Sequence, residues 1–164
     1  YGHAGGVSTR TGYLNLGETS GVPVIKRLLS SLPAEGTVIV DCPPGSSCTV
    51  MESIKDCDFC LLVTEPTAFG IHNLELVLQL VTLFAKPFGI VVNKAVTGET
   101  MAEDFCRRRQ LPLLASFPYD PQIALQNSQG QLAACQSRNY FQQFNDLLGR
   151  IGGMGREAVC HCQR

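Results

Sequence analysis

Short unbroken apolar runs alternate with longer segments of mixed polarity along the whole chain. Four runs read as strands: Thr37 to Asp41 (TVIVD), Phe59 to Thr64 (FCLLVT), Phe88 to Asn93 (FGIVVN) and Leu113 to Phe117 (LLASF). Each is continuous instead of alternating, the pattern of strands covered on both faces. Their starts lie 22 to 29 residues apart, which leaves room for a crossover helix each time and is too long for hairpins.

The segments between them carry helical signals. Val22 to Leu32 follows Thr19 and Ser20, either of which suits an N-cap. Thr49 to Ile54 is short, with Thr49 and Glu52 at capping-box spacing. Ile71 to Ala85 sets Ile71, Leu74, Leu78 and Val81 on one face and Leu76, Leu80 and Leu83 on another, an apolar stripe too wide for a helix that touches only a sheet. Thr100 to Gln110 and Asn139 to Ile151 complete the long helices, and Pro121 to Asn127 is a short one opened by proline. The expected fold is α/β, a three-layer α-β-α domain on a mainly parallel sheet with right-handed crossovers. Residues 1–12 read as a linker, 13–152 as the domain and 153–164 as a Gly- and Cys-rich tail.

Composition narrows the function classes. Of 164 residues only 16% are charged, against about 25% in an average soluble domain, and the net charge is −1. Nucleic acids and anionic membranes need clustered basic residues, and Arg107, Arg108 and Arg109 form the one basic run, read as a solvated helix end. The apolar stretch Ile71 to Phe84 is broken by five polar positions and is no membrane span. Low charge and the absent initiator Met point to a chain that begins within a longer protein, as processing would also produce. No export signal is seen, so a reducing cytoplasm is expected. Cys57 and Cys60 form a C-x-x-C that runs into an apolar strand, so both read as packed thiols before redox or metal ligands. Cys48 likewise reads as packed, and His72 as a helix cap or packing residue. Cys160, His161 and Cys162 could supply ligands for a metal only with help from elsewhere, and a disordered tail is preferred.

In parallel sheets ligands gather beyond the carboxyl ends of the strands. The residues there are Asp41-Cys42-Pro43-Pro44-Gly45, Glu65-Pro66-Thr67, Asn93-Lys94 and Pro118-Tyr119-Asp120. Taken alone, Asp41 fits equally a carboxylate that holds a Mg²⁺-bound water and one that caps a turn. Gly45 would let a backbone N–H approach a phosphate. Asn93 offers the donor and acceptor that reading a purine edge requires, with Lys94 lying over the base or ribose.

The ordered series VIVDCPPG, LLVTEPT, GIVVNK and SFPYDPQIA resembles the second half of the MinD/ParA/Mrp superfamily of P-loop ATPases, relatives of the nitrogenase iron protein. STRTGYLNLGETSG, from Ser8 to Gly21, is similar to the segment after an inserted ferredoxin domain in one MinD-like subgroup. The resemblance implies ATP and Mg²⁺ as ligands, iron-sulfur clusters in the insert, a homodimer and an iron-sulfur or metal-cluster partner. It matches Asp41 to the carboxylate that arranges Mg²⁺ and the attacking water, and Gly45 to the glycine that senses the γ-phosphate. Asn93 matches the adenine-reading asparagine, and Pro118, Tyr119 and Asp120 the loop lining base and ribose. Glu65, Pro66 and Thr67 match a loop near the nucleotide and the dimer contact.

Two family features are missing from these residues. There is no G-x-x-x-x-G-K-[ST] and no ferredoxin-type cysteine run; Gly5-Gly6-Val7 lacks both the lysine and a preceding strand. The expectation is a C-terminal part of an ATPase, incomplete at its N-terminus and unable to hydrolyse ATP efficiently on its own. Two alternatives stand beside it: a non-catalytic partner-binding module of the same fold, and the nucleotide-binding domain of a cobyrinic acid a,c-diamide synthase-type enzyme.

Overall fold

The computed structural model describes residues 2–4, 6–33 and 35–161, with the side chains of residues 4 and 155–161 left out. The chain divides into two compact units, Tyr1–Cys57 and Asp58–Arg164.

The first unit contains a short antiparallel hairpin of β1 (Gly2–Ala4) and β2 (Val7–Thr9), then helices α1 (Val22–Leu29) and α2 (Cys48–Ile54). The hairpin occupies residues that read as linker; three-residue strands carry no periodicity to detect. Helix α1 starts after Gly21, not at a serine cap, although Ser20 Oγ accepts the Val22 N–H at 3.3 Å. Lys26 and Arg27 in its last turn meet the negative end of the helix dipole. Helix α2 starts after Ser47, so Thr49 is inside the helix and the capping box does not form. Ser47 and Thr49 hydroxyls bond each other at 2.6 Å, and Glu52 pairs with Lys55.

The run Thr37 to Asp41 corrects the sequence reading most plainly: none of it is strand, and Ile39 is 83% exposed. An extended run becomes a strand only when a neighbour accepts its backbone hydrogen bonds. Among the described residues this run has no ladder partner.

The second unit is mixed α/β. Its parallel sheet has the order β3 (Cys60–Thr64), β4 (Phe88–Ala95), β5 (Leu113–Pro118), with α3 (Ala68–Leu83) and α4 (Met101–Arg108) as the crossovers. After β5 come α5 (Pro121–Ser128), the single turn α6 (Ala133–Gln136) and α7 (Arg138–His161). The turn α6 has no counterpart in the sequence reading, and α7 continues ten residues past Ile151 through Gly152, Gly153 and Gly155.

Strand β4 is central and has Ile90, Val91 and Val92 buried on both faces. Val91 joins Leu114, Phe117, Tyr140 and Leu147 in one core cluster; Ile90 and Val92, one residue away on either side, point to the opposite face. Strand β3 is different. Cys60, Leu62 and Thr64 are buried, whereas Leu61 and Val63 are 38% and 60% exposed, so the expectation of cover on both faces holds for β4 and fails for this edge strand. Helix α3 buries Leu74, Leu78, Leu80 and Val81, while Leu76 and Leu83 of its second apolar face stay exposed. No helix among the described residues is long and apolar enough to cross a membrane.

Candidate functional site

The carboxyl ends of three adjacent parallel strands bring Glu65, Asn93, Lys94, Pro118, Tyr119 and Asp120 to one edge of the second unit. The central strand is irregular there. Val92 pairs with Ser116 and Ala95 with Pro118, so β4 has one more residue than β5 over this interval. That bulge contains Asn93 and Lys94, and Lys94 adopts φ +55. A left-handed backbone at a residue other than glycine costs about 1–3 kcal/mol, and such positions gather at ligand sites. Asn93 Oδ1 accepts the Lys94 N–H at 3.0 Å and steadies the kink. Its Nδ2 amide has no hydrogen-bond partner among the described residues.

Lys94 Nζ reaches back to Glu65 Oε1 at 2.6 Å. The hydrogen bond to Glu65, then its charge, raise the lysine above its ordinary range. Glu65 is set by a tight turn: the Thr67 N–H donates to its carbonyl at 2.8 Å, and Thr67 Oγ1 caps α3 by accepting the Gly70 N–H at 2.9 Å. Thr67, and not His72, is thus the cap, and His72 is exposed inside α3. Gly70 has to be glycine, because a Cβ there would run into the Glu65 carbonyl. Pro66 is buried beneath the turn.

On the other side of the bulge, the Tyr119 N–H donates to the Ala95 carbonyl at 2.9 Å, which ties the loop after β5 to the end of β4. The Tyr119 ring is 60% exposed and Pro118 is exposed beside it. Asp120 has a different role. Its Oδ1 caps α5 by accepting the Gln122 N–H at 2.9 Å, and its Oδ2 accepts the Tyr140 hydroxyl at 2.9 Å. Tyr140 was not singled out by sequence; the available signal was an aromatic residue in the first turn of the last helix, which core packing explains equally well. Burial first, then the Asp120 bond and charge, raise its phenol above the ordinary value.

Asp41 and Gly45 belong to the first unit. Both are exposed, and Gly45 has φ +91 with open space where a Cβ would stand, so the glycine serves the turn itself. Cys42 is half-buried; burial first, then Cys57, raise its thiol, with Ser53 opposing. Among the described residues no three His, Cys, Asp or Glu side chains gather as a metal site. Cys60 and Cys106 are buried as packed thiols, whereas Cys48 is exposed, against expectation. Cys160, His161 and Cys162, read as metal ligands only with help from elsewhere, lie outside the described side chains.

No known family model matches the chain. It is 28% identical over 114 residues to Uncharacterized protein MJ0579 of Methanocaldococcus jannaschii, a match covering 69% of this chain and 36% of that protein. The chain therefore spans little more than a third of the length of that curated relative.

Proposed function

We propose that this chain is the base-recognising, C-terminal part of an ATP-binding domain of the MinD/ParA/Mrp kind, with a three-layer α-β-α fold. The whole protein, in this reading, is a cytoplasmic homodimer that couples ATP to iron-sulfur electron transfer or metal-cluster handling. The observation that carries the reading is the strained bulge at the carboxyl end of the central strand, with Asn93 presenting an Nδ2 that has no partner among the described residues and an exposed Tyr119 ring beside it. Adenine needs this pair of features: an amide that can donate and accept along its edge, and an apolar face to stack upon.

The residues at this edge do the binding and orienting. Asn93 pairs with the base edge, Tyr119 and Pro118 flank its plane, and the Lys94–Glu65 pair closes one side. Mg²⁺ fits less well. Asp41 is one exposed carboxylate, and one carboxylate does not make a cation site, so the ion would be held chiefly by nucleotide phosphates and water. Phosphoryl transfer depends on a phosphate cradle, and no G-x-x-x-x-G-K-[ST] occurs in the 164 residues. The chain on its own is accordingly a binder without efficient turnover.

The non-catalytic module remains a second reading on one specific observation: both Asp120 oxygens are engaged within the protein, so this carboxylate is not offered to a ribose. Titration with fluorescent ADP and GDP analogues separates the readings. The nucleotide reading expects ADP to bind better than GDP, and Asn93→Ala and Tyr119→Ala each to weaken ADP about tenfold, near the 1–3 kcal/mol of a base–aromatic stack. Absent or base-indifferent binding contradicts it, and magnesium-dependent turnover by the isolated chain contradicts the missing cradle.

A further inference from the structure

We infer that Tyr140 is a positioning residue for the base-recognising loop, holding Pro118–Asp120 in place from α7 through its hydroxyl; this inference rests on the nucleotide reading of that edge. Helix α7 lies along β5 in the opposite sense, as three contacts demonstrate. Tyr140 meets Asp120, Phe144 stacks on Phe117 with ring centroids 5.0 Å apart, and Arg150 donates to the Leu114 carbonyl. Rising numbers on the helix thus meet falling numbers on the strand. The start of α7 is thereby fixed at the carboxyl edge of the sheet, where the candidate site lies.

Tyr140 is 8% exposed. A buried phenol needs a hydrogen-bond partner, and here the partner is the residue that also caps α5. Asp120 is next in sequence to Tyr119, whose N–H is bonded to Ala95, and Ala95 ends the bulge that contains Asn93 and Lys94. Helix, loop and bulge are thus linked by two hydrogen bonds and short stretches of backbone, with Tyr119 next to the anchored Asp120 and Asn93 two residues before the anchored Ala95. Asp120 acts in this arrangement as the anchor, and Tyr119 and Asn93 as the contacts. Nothing in the resemblance singles out Tyr140.

The test pairs Tyr140→Phe, which keeps the ring and removes the hydroxyl, with Phe144→Leu, which perturbs α7 packing and keeps the hydroxyl. Amide hydrogen exchange by NMR and the affinity for a fluorescent ADP analogue are measured on each. Tyr140→Phe is expected to speed exchange at the Tyr119 and Gln122 amides relative to β3, and to weaken ADP about tenfold, the factor for ~1.4 kcal/mol. Phe144→Leu is expected to lower global stability without changing either readout. Unchanged exchange at those amides, or unchanged or tighter ADP binding by Tyr140→Phe, overturns the inference while the nucleotide reading survives. Failure of the wild-type chain to bind ADP overturns both. Should Tyr140→Phe not fold, Asp120→Ser keeps a side-chain oxygen to cap the Gln122 N–H and is too short to reach the Tyr140 hydroxyl, with the same expected shifts.

Discussion

Segments 37–45 and 113–121 follow one sequence pattern and reach different states. TVIVDCPPG and LLASFPYDP each run from apolar residues into an aspartate with a proline within the next two positions. The second is β5, paired to β4 and anchored at its end by Tyr140. The first has no ladder partner among the described residues, and its Ile39 is mostly exposed. Burial and pairing are properties of the neighbours a run finds, and composition alone does not supply them. The same aspartate is correspondingly a structural anchor in one segment and an exposed carboxylate in the other.

The largest effect should separate the two apolar runs. Phe117→Ala removes a buried ring that stacks on Phe144 and should cost about 3–5 kcal/mol. Ile39→Ala should change stability by about 0.5 kcal/mol or less, as exposed substitutions do. Denaturant unfolding measures both, and equal costs would remove the contrast.

The two aspartates should differ next. Asp120→Ala loses an N-cap and leaves the buried Tyr140 hydroxyl without its acceptor, together about 2–4 kcal/mol. Asp41→Ala, at an exposed position, should be nearly neutral in the same unfolding measurement.

Alkaline titration sharpens the same anchor. The Tyr140 phenol is raised in the folded state, so it holds its proton more tightly there than in the unfolded chain. The stability this contributes is fully present below the ordinary phenol value of about 10 and is lost as pH rises through the higher folded value. Tyrosinate absorbance should show a late component in the wild-type chain that Tyr140→Phe lacks.

The smallest effect belongs to the Glu65–Lys94 pair. Both side chains are about half exposed, so Glu65→Gln should cost little stability, an effect that fades in about 1 M salt. A larger, salt-resistant loss would mean that the pair and not the hydrogen-bonded backbone sustains the bulge.

The sequence located β3, β4, β5 and α3 closely because each is long, apolar and bounded by proline, glycine or a cap. Strand ends were legible for the same reason, and with them Glu65, Asn93, Lys94 and Tyr119. What escaped depended on contacts distant in sequence. The Tyr140–Asp120 bond joins residues twenty positions apart, the Glu65–Lys94 pair spans twenty-nine, and the bulge is a register relation between two strands. Thr37 to Asp41 misled because an apolar run with β-branched residues reads identically whether or not a neighbouring strand is present. The hairpin in residues 2–9 and the single turn α6 are too short to show a period.

The bulge and loop at the carboxyl edge of β4 and β5 are proposed as an adenine-recognising surface. The most direct measurement is an amide NMR titration of the chain with adenosine, using guanosine as the comparison. Shifts that saturate at Asn93, Lys94 and Tyr119 are expected with adenosine, and much weaker ones with guanosine. Spectra unmoved at these three amides, or moved alike by both nucleosides, would contradict it.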